Sequence, residues 1–280
     1  MSLAWMLTVL FAAALHASWN AIIKAGSDKF NDTVLVAIGA ALFPGFLLPW
    51  LPLPAAASLP YLIASVAVHF VYFSLVALAY RAGDLSYAYP LMRGVAPMST
   101  ALAGSVIIGE PLTPGGKIGV LLLSCGILAL AADSRRAGKF AGLQTAVALA
   151  NAAVISIYTL VDGIGLRLAD GPMSYICWLL FLTAPPLVLF SLVTQRGAFL
   201  AQLKSRWRAG LVGGLCTSVS YGLALYAMAY IPIALVAALR ETSVVFGTAI
   251  AALFLGERFG PVRYVAAGLV TAGAVAMKAL

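Results

Sequence analysis

Two stretches decide the fold: RGVAPMSTALAGSVIIGEPLTP at residues 93–114 and RETSVVFGTAIAALFLGERFGP at residues 240–261. They lie 147 residues apart, and the same offset lays residues 77–133 over residues 224–280 without a gap. In that frame Arg93 matches Arg240, Gly109-Glu110 matches Gly256-Glu257, Pro114 matches Pro261 and Gly126 matches Gly273. Eleven of the 57 pairs are identical, and in an Ala/Leu-rich chain the matched alanines carry little weight. An arginine, a Gly-Glu and a proline falling in one frame carry much more. A repeat of this kind in a membrane protein points to two structural halves about a pseudo-two-fold axis, with solute bound between them.

Composition places the chain in the membrane. Apolar residues make up 63% and charged residues 9%, against about 45–50% and about 25% in soluble domains. Apolar stretches of spanning length number ten, at about 3–24, 33–53, 61–80, 85–109, 117–132, 143–162, 174–194, 210–230, 232–254 and 261–279. Near-solid apolar runs exclude a β-barrel, whose strands alternate. The expected fold is therefore all-α, a polytopic protein of ten transmembrane helices. Five spans per half return the chain to the opposite face, so the second half enters inverted. The halves are residues 1–133 and 143–280, joined by a linker at 134–142 that holds Ser134-Arg135-Arg136-Ala137-Gly138-Lys139. The opening run lacks a basic start and is read as the first span rather than a cleaved leader. Cys125, Cys177 and Cys216 all fall inside spans and read as small packing residues.

The net charge of +8 does not mark a nucleic-acid binder. Of the 17 lysines and arginines, 12 fall in the loops after spans 1, 3, 5, 7 and 9, and three (Lys117, Arg167 and Lys278) on the opposite face. Taken as a positive-inside signal, this makes the odd loops cytoplasmic and puts both termini outside.

Ionisable groups at membrane depth are functional candidates by default. Here they are Arg93, Arg240, Glu241, His16 and His69. Inversion brings the two arginines near the pseudo-two-fold axis. There each either forks onto a substrate carboxylate or ties helices together. Glu241 follows Arg240 directly, and neighbours on a helix point apart, so its partner is expected across helices. As the mid-span carboxylate it is also the proton-coupling candidate. His16, Asn20 and Lys24 form a polar stripe on span 1 with Trp19 beside it. Span 6 answers with Asn151, Tyr158 and Asp162, the last read as lying at the span's end. His69 on span 3, Tyr89 on span 4 and Tyr221 on span 8 complete the substrate-binding set, and polar aromatics beside apolar surface suit an amphiphilic metabolite. Two separated histidines without nearby carboxylates do not make a metal site, and no cofactor is expected. Thr113 is placed to cap span 5 with Pro114 at its first position, which makes Glu110 and Glu257 architectural.

The doubled pattern Arg93…Gly109-Glu110…Pro114 and Arg240…Gly256-Glu257…Pro261, with the opening His16-Ala17-Ser18-Trp19-Asn20-Ala21-Ile22-Ile23-Lys24, resembles the EamA repeats of the drug/metabolite transporter superfamily. The resemblance covers essentially the whole chain. It implies an inverted five-plus-five fold around a central cavity, residence in the cytoplasmic membrane of a prokaryote, and export of amino acids or other metabolites, as in YddG-type exporters. The helix-1 pattern is not mirrored in span 6, where Tyr158 and Asp162 stand for Trp19 and Lys24.

The expected function is secondary transport of a small molecule, most readily an amino acid, by alternating access of the two halves. The alternatives are a multidrug or lipophilic-cation exporter and a non-transporting membrane scaffold. An enzyme would need a nucleophile–base pair or a metal cluster at membrane depth, and neither Gly-x-Ser-x-Gly nor His-Glu-x-x-His occurs. No Walker motif supports ATP-driven transport within the chain. Expected partners are the small-molecule substrate and membrane lipids, not nucleic acid, in a monomer or weak oligomer.

Overall fold

The computed structural model of the chain describes residues 1–82, 85–137, 142–247, 249 and 260–279. Gly256-Glu257 and residues 138–141 of the inter-half linker lie outside the described residues. All regular structure described is helical: α1 (Leu3–Lys24), α2 (Lys29–Leu47), α3 (Leu59–Ala82), α4 (Leu85–Ala103), α5 (Pro114–Ala137), α6 (Gly142–Leu168), α7 (Pro172–Thr194), α8 (Arg196–Met228), α9 (Ile233–Arg240) and α10 (Pro261–Ala279). Eight stretches among the described residues are long and apolar enough to cross a membrane, the first at Leu3–Lys24 and the last at Arg196–Met228. Large apolar side chains such as Phe11, Phe46, Ile63, Val106 and Val193 stand on the outside. With no water in the bilayer core, helices satisfy their own backbone groups while presenting such a surface to lipid. The protein is an all-helical, multi-pass membrane protein.

Local chemistry sets the helix ends. Ser2 caps α1 by accepting from the Trp5 N–H, Asp28 caps α2 by accepting from the Asn31 N–H at 3.1 Å, and Thr113 caps α5 by accepting from the Gly116 N–H at 3.1 Å. Past Ala103 the backbone widens into one π-helical turn, Gly104–Ile108, and stops at Gly109 with φ of 73°. That left-handed conformation favours a residue without Cβ, which accounts for the glycine of the Gly109-Glu110 pair.

Three expected boundaries differ. The span expected at 143–162 extends to Leu168 in α6, so Asp162 sits inside a helix rather than at its end. The basic stretch 196–205 is helical, not a loop, and forms the first part of α8, which kinks at Arg206 (φ −126°, ψ 17°). Arg206 is pulled aside there: its Nε donates to Asp32 Oδ1 at 2.8 Å and its Nη2 to the Ile22 carbonyl at 3.1 Å. The span expected across 232–254 ends its first segment at Arg240, turns at Glu241–Thr242 and resumes helix at Ser243. At the turn the bonds tighten to i→i−3, from Glu241 N to Ala238 O and from Thr242 N to Leu239 O. The Thr242 hydroxyl also donates to Leu239 O at 2.7 Å, competing with the helical ladder.

Two glycine seams hold the bundle. On α2 and α8, a Cβ on Gly39 would lie 2.3 Å from Gly210 O, and one on Gly214 would lie 2.3 Å from Gly39 C. On α5 and α10 the contacts come in crossed pairs. A Cβ on Gly126 would meet Ala266 O at 2.9 Å, and one on Gly273 would meet Gly119 O at 2.7 Å. Gly126 also faces Val270, and Gly273 faces Leu123. At the offset of 147, Ala266, Val270 and Gly273 are the counterparts of Gly119, Leu123 and Gly126. The two helices therefore meet antiparallel, each using the same positions against the other. Small residues allow this approach where lipid provides no hydrophobic drive.

Candidate functional site

A cavity of ≈ 80 Å³ opens between α1, α2, α3, α6, α7, α8 and α9. A smaller one of ≈ 20 Å³ adjoins it, reaching α4, and Trp19, Thr33, Tyr72 and Phe73 form walls of both. His16, Trp19, His69, Tyr158, Tyr221 and Arg240 line the larger space, and Asn20, Tyr89 and Arg93 the smaller. The middle is aromatic. The His69 ring lies 4.4 Å from Tyr158 and 5.7 Å from Tyr221, while Tyr158 stands 5.5 Å from Tyr72. His16 meets Trp19 edge-on at 4.9 Å. The His69 Nδ1 donates to the Ser65 carbonyl at 2.9 Å and lies 3.1 Å from the Ser65 hydroxyl, which fixes the ring. Asn20 donates to the His16 carbonyl at 2.7 Å, folding back on its own helix.

The charged groups divide into two arrangements. The Arg240 guanidinium sits 4.9 Å over the Tyr221 ring, a cation–π contact. Arg93 Nε lies 2.7 Å from Glu241 Oε2, both side chains at most 5% exposed. The Nε–H is not aimed at the carboxylate, so this is an ionic contact rather than an aligned hydrogen bond. It joins α4 to the turn that follows α9, and the negative end of α9 adds to the field holding the arginine. Glu241, expected to pair across helices, does so with Arg93. Asn151 reaches neither cavity: its Nδ2 donates to Met92 Sδ at 2.8 Å in the α4–α6 contact, behind the wall.

Comparison with known proteins agrees with this architecture. The model of the EamA-like transporter family matches residues 144–278. Relatives include the "Spermidine export protein MdtI" of Salmonella paratyphi B, Salmonella newport and Salmonella heidelberg, each 40% identical over 68 residues. That stretch is 24% of this chain and spans 62% of the length of each relative. A crystal structure of a protein 17% identical superposes with a TM-score of 0.77, covering 98% of this chain and 95% of the other. At that identity the likeness is one of fold.

Several residues matter at the site in ways the sequence did not mark, Asp162 among them because it was placed at a span's end. Asp162, fully buried on α6, accepts from the Tyr221 hydroxyl and, at 3.5 Å, from the Tyr175 hydroxyl. Tyr72 forms a wall of both cavities; it is the i+3 neighbour of His69 on a helix apolar all round, where no polar contrast marks the inward face. Two further clusters stand at opposite ends of the bundle. At one, Asp32 Oδ1 accepts from Arg206 and from Gln202 Nε2, the latter at 2.9 Å. At the other, Arg167 pairs with Glu110 and donates to Met228 O at 2.9 Å and Ile231 O at 3.2 Å. Glu110 Oε2 in turn accepts from the Ile233 N–H at 3.0 Å. It thus caps α9, whose own N-cap is Pro232 with no side-chain bond. Both clusters join a carboxylate before residue 134 to an arginine after residue 142.

Proposed function

We propose that the chain is a secondary transporter that exports small metabolites, amino acids foremost, by alternating access of two inverted halves, residues 1–133 and 143–280. One observation carries the reading: the aromatic cavity with Arg240 lies where helices of the first half meet helices of the second, walled by Trp19 and His69 from one and Tyr158 and Tyr221 from the other. The EamA-like match and the spermidine-exporting relatives support transport as the activity. The crossed α5–α10 contacts support inversion, because counterparts that pair antiparallel face opposite ways across the membrane.

Arg240, lining the larger cavity, favours a carboxylate-bearing solute, with the aromatic walls taking its side chain. A second reading, polyamine export, rests on the named relatives. It is opposed by the Arg240 guanidinium lining the larger cavity, which repels a polycation in a low-dielectric site. Membership of a prokaryotic cytoplasmic membrane with external termini completes the reading, and reporter fusions at each end test it.

The deciding experiment is flux into proteoliposomes of labelled phenylalanine, leucine, lysine, glutamate and spermidine. Saturable flux of neutral amino acids, lost in a folded Arg240→Gln variant, is the expected result. Flux of spermidine alone overturns the amino-acid reading. Trp19→Ala is expected to cut flux about tenfold, the loss of one well-packed aromatic contact of ~1.4 kcal/mol, while folded yield is retained.

A further inference from the structure

Three carboxylates among the described residues are buried to below one-tenth exposure: Asp32, Asp162 and Glu241. Asp32 is paired with Arg206 and Glu241 with Arg93. Asp162 differs. Its partners are hydroxyl donors, Tyr221 from α8 and Tyr175 from α7, and the residues facing it from α3 are Ser65 and His69. Tyr61, also on α3, lies one turn further along α6 against Gly165. Tyr158 stands one turn before it on α6 itself, and the cations facing the cavities from α9 and α4 are Arg240 and Arg93. Asp162 therefore sits behind the cavity wall with Tyr221 between it and the open space.

We propose that Asp162 binds the proton that couples transport to a proton gradient, with Tyr221 relaying it to and from the cavity. The proposal rests on the transport reading. Its chemistry follows from the partners. An ionised Asp162 accepts from both phenols. A protonated one donates its own O–H to a phenol oxygen, and that phenol turns its hydrogen toward the cavity. In the step itself, cavity water delivers a proton to the Tyr221 oxygen as the phenol's own proton passes to Asp162. The hydroxyl is restored, water leaves as hydroxide to be neutralised by bulk solvent, and one proton has moved. Glu241 is poorly placed for the same task, because protonating it would strand the buried Arg93 charge.

The relay also has a mechanical output. The ring that hydrogen-bonds Asp162 is the ring that holds Arg240 at 4.9 Å. A carboxylate polarises the phenol and strengthens the ring's hold on the cation; a carboxylic acid weakens it. Protonation on α6 is thereby felt through α8 at the Arg240-Glu241 turn that ends α9.

Two measurements on the full chain test this. The first needs no substrate: infrared titration of the purified protein. A protonated-carboxyl band that vanishes as pH rises is expected in the wild type, is absent from Asp162→Asn, persists in Glu241→Gln and shifts its midpoint in Tyr221→Phe. A band that persists in Asp162→Asn and is lost in Glu241→Gln overturns the assignment. The second is the ratio of labelled phenylalanine flux with an imposed pH gradient to flux without one. That ratio is expected to fall from several-fold to unity in Asp162→Asn and to an intermediate value in Tyr221→Phe. A wild-type ratio of unity, or an unchanged ratio in Asp162→Asn, also overturns it. Absence of any saturable flux in the wild type would instead sink the transport reading, and the infrared result would still decide where the proton binds.

Discussion

Arg93 and Glu241 illustrate how a residue pair can be indispensable without being a source of net stability. Each is almost fully buried, and each leaves an uncompensated charge if the other is removed. Arg93→Ala or Glu241→Ala is therefore expected to cost about 3–5 kcal/mol, whereas replacing both with apolar residues of similar volume costs far less. Thermal unfolding in detergent of the two single variants and the Arg93→Met/Glu241→Leu double variant measures this. A double variant as unstable as the singles would contradict it. The pairing was legible in outline, since the adjacent Arg240 and Glu241 point apart on a helix and so leave Glu241 to a partner across helices. Asp162 was not. A carboxylate near the end of an apolar run looks like the edge of a span, and only the continuation of α6 to Leu168 puts it indoors.

At the level of elements, helix positions and caps could be read from apolar run length, Thr113-Pro114 and Gly109-Glu110. The break after Arg240 could not, because no glycine or proline marks it and a threonine hydroxyl supplies the competing bond. Small residues were also an incomplete guide to contact. Gly119 and Gly268 look alike in sequence, yet a Cβ on Gly119 would lie 2.7 Å from Gly273 O while nothing lies within 4 Å of one on Gly268. Gly214→Leu and Gly126→Leu are accordingly expected to lose at least about 1–3 kcal/mol by overpacking, and Gly268→Leu to be tolerated. Equal folded yields for all three would show that the seams can spread. Gly109→Ala is expected to cost about 1 kcal/mol, the strain of a left-handed backbone with a Cβ, read as a lowered unfolding temperature.

Across the whole molecule, the Asp32–Arg206 and Glu110–Arg167 clusters tie early to late helices at opposite ends of the bundle. If the halves rock, each cluster resists opening at its own end. Asp32→Asn and Glu110→Gln are then expected to bias the molecule in opposite senses. The check is alkylation of a Thr217→Cys probe in the cavity, with Cys125, Cys177 and Cys216 replaced by Ser. Faster labelling from one face in the first variant and from the other face in the second is the expected pattern. The same change from both faces would reduce the clusters to struts. Charge clusters of this kind join residues more than fifty positions apart, so nothing in local spacing announced them.

The crossed contact between α5 and α10 also carries a genetic corollary. In space it is a palindrome: position 126 presses on the copy of 119, and the copy of 126 presses on 119. A bulky substitution at one site disturbs one crossing and spares the other, but the same substitution in both copies disturbs the seam twice. The seam is thus a place where the two copies act as partners rather than as separate sequences. The four positions that form it, Gly119, Gly126, Ala266 and Gly273, are all small, while the matched cavity walls carry tryptophan at 19 and tyrosine at 158.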